Sequence, residues 1–520
     1  MVISKLFTKP SSFDFKIKWT TVLILFLALA PITGEWIYKV FIYPRPFWAF
    51  YYDPETIYFY SGLELLNGQT PNNVDNPGTP VQLISAALLT FIGRNPLNLD
   101  CFRVSAYIFS QVLMILMCWM LLKTLLLRLS PMLQISALQT FFLCSQSLEY
   151  NNVWSPEILY FPIGSLVIIS AWSQFNKGLS YHGSALIGFT LGLACAVKFT
   201  FLAWIPAMFL AVLIVRPAPD ICKKYLPFAL IVAAVLGFLA ATFVVASKYP
   251  YMFQWLWRLA SHSGEYGTKQ AEIPSMYELI TNVFIAVRSS KAWHFWLFMN
   301  ISLAGFALWR QRQNGDVLSN PMASLLIFAV VAIIMSYILA ARHMALRYLL
   351  PTGVCGMLIF AICSHLFLKH RSFKFQCIVC IVVALLLAKH ITLDISTHQK
   401  RIHIAKKNQI KINASLSQCC NSTQKPIIIY GFRAPQPSFA LRISTADNLN
   451  YLNIISKRYP YEGHINWHQQ IVLPVGADHW DCAVISKQNL NVFPQNIAVL
   501  CDKIGLFYIM SARKKALNVE

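Results

Sequence analysis

Repeated apolar runs, each close to the length needed to cross a bilayer, constrain this chain more than any other feature. They fall near 18–41, 102–127, 132–148, 157–175, 183–199, 200–216, 225–247, 292–310, 321–341, 345–368 and 374–393, about eleven in all. A membrane helix needs roughly 20 predominantly apolar residues. Inside a bilayer the backbone must satisfy its own polar groups, so such runs fold as helices. The chain is 57% hydrophobic and 12% charged, with a mean hydropathy of +0.53, against about 25% charged residues in an ordinary globular domain. The expected fold is therefore an all-α polytopic membrane protein. The first run lacks a small-residue cleavage site and reads as an uncleaved first helix.

The stretch 79–93 (TPVQLISAALLTFIG) is apolar but too short to span, and reads as an interfacial helix. With it not spanning, the loops carrying Lys123/Arg128, Lys177, Arg216/Lys223/Lys224, Arg310/Arg312 and Lys369/Arg371/Lys374 share the N-terminal side. The positive-inside bias makes that side cytoplasmic. Asp53, Glu55, Glu149, Glu157, Arg342, Arg347 and the long loop 248–291 then gather on the opposite face. The net charge of +22 is spread over short loops instead of forming one patch, which argues for lipid or lipid-phosphate partners and against nucleic acid.

The expected division is a membrane domain over 1–393, with outer loops 42–101 and 248–291, and a soluble α/β domain over 394–520 on the outer face. Within the tail, 398–425 reads as a linker, 437–456 as helical, and PIIIYGF (426–432), CAVISK (482–487) and NIAVLC (496–501) as strands. Cys419, Cys420, Cys482 and Cys501 can pair there if the compartment is oxidising. No metal-ligand set is evident, so a divalent metal stays open.

Ionisable residues beside membrane helices are functional candidates. Asp53 and Glu55 lie in FWAFYYDPETIYFY (Phe47 to Tyr60), among aromatic rings suited to the headgroup level. The competing structural reading is a helix start at Asp53-Pro54. VDNPGTPVQL, with Asn76, is a turn leading into a short helix, and EYNNVWSPEIL holds Glu157 at what is also an ordinary helix start. Lys198 is a lone cation in an apolar stretch, placed either to meet a lipid phosphate or to snorkel to the interface. His262 and Tyr266 sit in the glycine-flanked HSGEYGTKQ. In ARHMALRYLLP, Arg342, Arg347 and Tyr348 flank a helix entry, where an arginine fork suits phosphate and also suits interfacial anchoring.

Taken in order, DPE with the following YFYSGLELLNGQTP, DNPGTPVQ, GLACAVKFT, HSGEYG and RYLLP resemble the GT-C superfamily of integral-membrane glycosyltransferases. The likeness is to bacterial members related to protein O-mannosyltransferases and to the aminoarabinose transferase of lipid A. It implies a polyprenyl-phosphate sugar donor, a glycan, lipid or protein acceptor, and usually inversion at the anomeric centre. Carried over, Asp53 is the general base and Glu55 its helper or a metal or sugar ligand. Arg347, with Lys198 as a second candidate, binds the leaving phosphate, and His262 and Tyr266 shape the donor pocket. Two departures stand out: many relatives have adjacent Asp-Glu where this chain has Asp53-Pro54-Glu55, and often His where it has Asn76.

The implied setting is a bacterial inner membrane, with the N-terminus cytoplasmic and the tail periplasmic. The rival is a transporter or flippase of lipid-linked sugars. A carrier keeps its ionisable residues at the midplane in paired halves; here they collect at one face and no internal repeat is visible.

Overall fold

The computed structural model describes residues 19–47, 52–74, 78–215, 217–218, 221–262, 272, 275–313, 320–343, 345–419 and 451, and six strands between 427 and 512. For 52–54 and the strands it describes the backbone alone. The helices run α1 (Trp19–Ile37), α2 (Tyr52–Leu66), α3 (Thr79–Ile92), α4 (Leu99–Lys123), α5 (Pro131–Thr140), α6 (Ser145–Tyr150), α7 (Tyr160–Lys177) and α8 (Tyr181–Val197). They continue as α9 (Trp204–Ile214), α10 (Leu226–Thr242), α11 (Tyr249–Ser261), α12 (Met276–Ser289), α13 (Lys291–Gln313), α14 (Pro321–Ala340), α15 (Pro351–Cys363) and α16 (Phe373–Cys419).

Seven of these elements, among the described residues, are long and apolar enough to cross a membrane. The expected span at 132–148 breaks at Phe141–Leu143 into a 3-10 turn. Those at 183–199 and 200–216 form helices too short for the 20-residue requirement. The one at 292–310 has the length, but His294, Asn300 and its tryptophans dilute its apolar character. As expected, 79–93 forms a 14-residue helix, about 21 Å long at 1.5 Å per residue.

Every residue of α15 is buried; α5, α7, α13 and α14 pack around it. The span within α16, by contrast, is mostly exposed. Its outward Ile378, Ile381, Val382 and Leu385 are the surface a bilayer would cover. The amphipathic α11 and α12 present Trp257, Tyr277 and Phe284 outward, a pattern suited to lying in the interface.

The tightest crossing is that of α8 with α10. A Cβ on Gly188 would stand 2.1 Å from the Leu230 carbonyl oxygen, one on Gly192 2.0 Å from that of Ala234, and one on Gly237 2.3 Å from that of Phe189. Small residues four apart let membrane helices approach in this way. Alanine raises helix propensity by about 0.8–1 kcal/mol over glycine, whereas overpacking costs about 1–3 kcal/mol. Because the obstruction at Gly192 is backbone that cannot rotate aside, overpacking wins. Gly192→Ala is expected to lower the melting temperature in detergent. Gly34→Ala, with nothing within 4 Å of its would-be Cβ, should leave it unchanged or raise it; equal melting of the two variants would refute this account.

α16 runs 47 residues without a break, so the segment from 398 to Cys419, expected as linker, is helix. Ile402 and Ile412 are buried along it. Beyond it, β1 (Ile427–Tyr430), β2 (Glu462–Ile465), β3 (Ile471–Val472), β4 (Cys482–Ser486), β5 (Ala498–Ile504) and β6 (Phe507–Ala512) form one sheet in the order 3-2-1-4-6-5. β1 is parallel to β2 and β4 and the other pairings are antiparallel. The three expected strands coincide with β1, β4 and β5. The helix expected at 437–456 lies outside the described residues except for Tyr451, and so do the side chains of the four tail cysteines.

Tyr451 ties this tail to the loop after α1. It is 5% exposed, its ring lies 5.3 Å from that of Tyr60, and its hydroxyl accepts a hydrogen bond from Asn67 Nδ2 at 3.0 Å. Burial, helped by the charge of Glu64, pushes the phenol up to about 12, so it stays neutral. The tail thus touches the helix that opens with Asp53.

Candidate functional site

Two buried ionic clusters flank the start of α2 and the end of α8. The first is built on Glu55, which is fully buried. Arg45, on the stretch leaving the π-helical turn Tyr38–Ile42, donates from Nη2 to Glu55 Oε1 at 2.6 Å. The Tyr107 hydroxyl donates to the same oxygen, as does the Trp154 backbone N–H at 3.2 Å. Arg103, from the first turns of α4, stands with Nε 3.0 Å from Oε2 and donates from Nη2 to the Arg45 carbonyl at 3.1 Å. Its Nη1 reaches Asp100 at the exposed rim, 3.1 Å away.

Oε1 of Glu55 is thus engaged by Arg45, Tyr107 and a peptide N–H, while Oε2 faces the Arg103 guanidinium without a hydrogen bond. This network anchors the first turn of α2. Asp53 lies in that same turn, and its side chain is outside the described residues. Arg45, Arg103 and Tyr107 were not singled out from the sequence. The only signal was a charge at the end of one apolar run and another at the start of the next, where snorkelling is the ordinary explanation.

The second cluster joins Glu157, Lys198, Arg347 and Tyr348. Ser155 and Pro156 start a 3-10 turn, Pro156–Leu159, that places Glu157 inward. Lys198 caps α8 in an extended conformation (φ −163°, ψ 141°), before the chain re-enters a 3-10 turn at Phe199. That break turns its side chain into the protein, where it is 5% exposed and ion-paired with Glu157 Oε1. The sequence left snorkelling open for Lys198; the buried pair decides against it. Lys198 Nζ lies 5.4 Å from the Tyr348 ring centre and the Arg347 guanidinium 5.1 Å from it. Arg347 Nη2 also donates to the Tyr348 hydroxyl at 3.3 Å. Two cations, one carboxylate and an aromatic face thus meet here, residue types that suit a phosphate.

Gly78 connects the two clusters. Its φ of +52° favours glycine, and a Cβ there would meet the Tyr58 hydroxyl of α2 at 2.4 Å. Its N–H donates to the Val197 carbonyl at 3.2 Å, one residue before Lys198. Gly78, just before α3, is thereby seated between α2 and the Lys198 break. Asn76 itself lies outside the described residues.

The remaining candidates separate from this group. Arg342 donates to the backbone carbonyls of Ala260 at 2.7 Å and Glu272 at 2.5 Å. These two bonds tie the end of α11 to Glu272. His262 ends α11, with Nδ1 2.8 Å from the Ser261 hydroxyl. Tyr266 lies outside the described residues. Beside Glu157 a cavity of about 20 Å³, lined also by Ser147 and Asn151, has room for one water. Among the described residues no group of three or more His, Cys, Asp or Glu side chains is placed to hold a metal.

No protein-family model and no curated protein sequence matches the chain. Its fold does have solved counterparts. ArnT from Cupriavidus metallidurans, bound to undecaprenyl phosphate, superposes with a TM-score of 0.52 at 10% identity, over 96% of this chain and 99% of that chain. The apo state of the same protein gives the same figures. The Archaeoglobus fulgidus oligosaccharyltransferase gives a TM-score of 0.47 at 11% identity, over 92% of this chain and 70% of that chain. The chain shares its fold with that ArnT structure nearly end to end.

Proposed function

We propose that this integral membrane protein is a glycosyltransferase that moves a sugar from a polyprenyl-phosphate donor to a hydroxyl of a cell-envelope acceptor. The observation that carries the reading is the buried Glu157–Lys198 pair beside Arg347 and Tyr348. It is an anion-binding arrangement in a fold shared with a protein that was crystallised with undecaprenyl phosphate. We assign the site to the outer face of a bacterial inner membrane, with the N-terminus cytoplasmic, and the acceptor to a glycan, lipid or protein.

In the proposed reaction Asp53 takes the proton of the acceptor hydroxyl as its oxygen attacks the anomeric carbon. The bond from that carbon to the phosphate oxygen breaks, and the electron pair leaves with the polyprenyl phosphate. Attack from the side opposite the leaving group inverts the centre. Lys198 and Arg347 balance the charge growing on the phosphate, where fixed cations in a dry site act most strongly. Glu157 positions Lys198 through their ion pair. Tyr348 supplies the face that orients both cations.

The direct test is transfer of radiolabelled sugar from polyprenyl-phosphate donors in reconstituted membranes. Product formation supports the enzyme; labelled lipid that crosses the bilayer without reacting supports the flippase instead. A hydrogen bond to a charged group contributes about 1.5–3 kcal/mol, which corresponds to about 10- to 150-fold. Arg347→Ala is therefore expected to lower kcat/KM for the donor by that factor. Arg347→Lys should recover part of the loss, because charge survives while the fork does not. Unchanged kcat/KM in Arg347→Ala would remove the residue from the site.

A further inference from the structure

A further cavity borders the Glu55 cluster on the side of Arg45. It has a volume of about 320 Å³ and lies between the end of the first membrane helix, the loop after α6, the α12–α13 junction and α16 from His390 to Arg401. We infer that it is a second anion site, built for a phosphate-bearing headgroup. Neither Lys198 nor Arg347 lines it, so it is separate from the leaving-group site proposed above and stands without that reading.

Its wall carries Lys39, Arg45, Lys291 and Arg401 against two carboxylates, Glu149 and Asp394. Two of the cations are built in: Lys39 is 3% and Arg45 7% exposed. Each is ion-paired with a carboxylate that does not line the cavity, Glu35 for Lys39 and Glu55 for Arg45. Arg401 is ion-paired with Glu149 at 2.6 Å, and Lys39 also with Asp394. Lining a hollow with charges costs desolvation energy that an apolar filling would avoid. Among the described residues Lys291 is the lining cation with no ion-pair partner, and it is left to meet an entering anion.

The donors converge from three directions. Lys39 and Arg45 come from the α1 side and Arg401 and Thr397 from α16. The first turn of the 23-residue α13 brings Lys291 and its backbone N–H groups, which have no partner within their own helix. A tetrahedral phosphate accepts from several directions at once, whereas a carboxylate accepts in one plane. The volume exceeds that of a bare phosphate and leaves room for the group that carries it. Arg45 is common to this wall and to the Glu55 cluster, so an anion here would be sensed at the turn that holds Asp53.

The test uses the full chain in detergent, both as wild type and with Arg347→Ala, so that binding at the other cluster is removed. The probes are phosphatidylglycerol, followed by native mass spectrometry, and inorganic phosphate and glycerol phosphate, followed by calorimetry. Lys291→Ala and Arg401→Ala are expected to weaken probe binding at least tenfold, in both backgrounds, and Lys291→Arg to restore it. Binding of the lipid alone identifies the source as a bilayer headgroup; binding of the soluble phosphates alone identifies a soluble one. Lys291 is exposed, so its removal leaves the fold intact even if Arg401→Ala melts early. Absence of binding by all three probes, or equal affinity in wild type and both variants, would overturn the inference.

Discussion

Asp53→Asn is expected to reduce sugar transfer by about 10²- to 10⁴-fold, the range set by loss of a general base, while thermal stability stays at the wild-type value. The substitution removes the proton acceptor and keeps the shape. Asparagine is also as well tolerated as aspartate near a helix start, and Asp53 lies in the first turn of α2. Donor binding should survive, because the proposed phosphate ligands are on other elements. The measurement is single-turnover transfer in reconstituted membranes alongside a melting curve. Turnover within about twofold of wild type would rule Asp53 out as the base.

Two residues away, Glu55→Ala should behave in the opposite way, losing folding stability first. Removing one partner of a buried ion pair costs about 3–5 kcal/mol, because the charges left behind are unpaired in a dry interior. Here Arg45 and Arg103 would both lose this buried counter-charge, with Asp100 at the exposed rim still beside Arg103. Glu55→Gln keeps the acceptor oxygen and loses the charge, so its loss should be smaller. Thermal melts in detergent read the effect directly. A Glu55→Ala protein that melts like wild type yet transfers no sugar would return Glu55 to the catalytic role that its burial argues against. Together the two variants separate a residue that acts on substrate from one that holds the helix carrying it.

That contrast marks the limit of what could be read along the chain. In DPE the two carboxylates are equivalent neighbours of an apolar helix, and composition gives no means of telling them apart. Their difference arises from Arg45, Arg103 and Tyr107, which reach Glu55 from three other segments. Likewise Glu157 and Lys198 were each legible as odd charges beside apolar runs, but not as partners. Arg342 and Arg347 looked alike in ARHMALRYLLP, and separate only because one meets backbone carbonyls and the other an aromatic ring beside Lys198. The long α16 carries a signal of its own, since 373–419 contains no glycine or proline. The polarity of its second half points to a linker, but buried Ile402 and Ile412 keep it packed as helix.

The sequence by itself determined that the chain is a bundle of apolar helices, with a short apolar helix at 79–93 and strands in the tail. These properties follow from local apolar length and from backbone hydrogen bonds that close within a segment or a simple ladder. Only the tertiary structure decided which charges neutralise each other, which helix becomes the buried centre, and where a cationic hollow is left. Those outcomes depend on pairings between residues far apart in the chain, because in a low-dielectric interior a charge is tolerated only where the fold supplies its counter-charge.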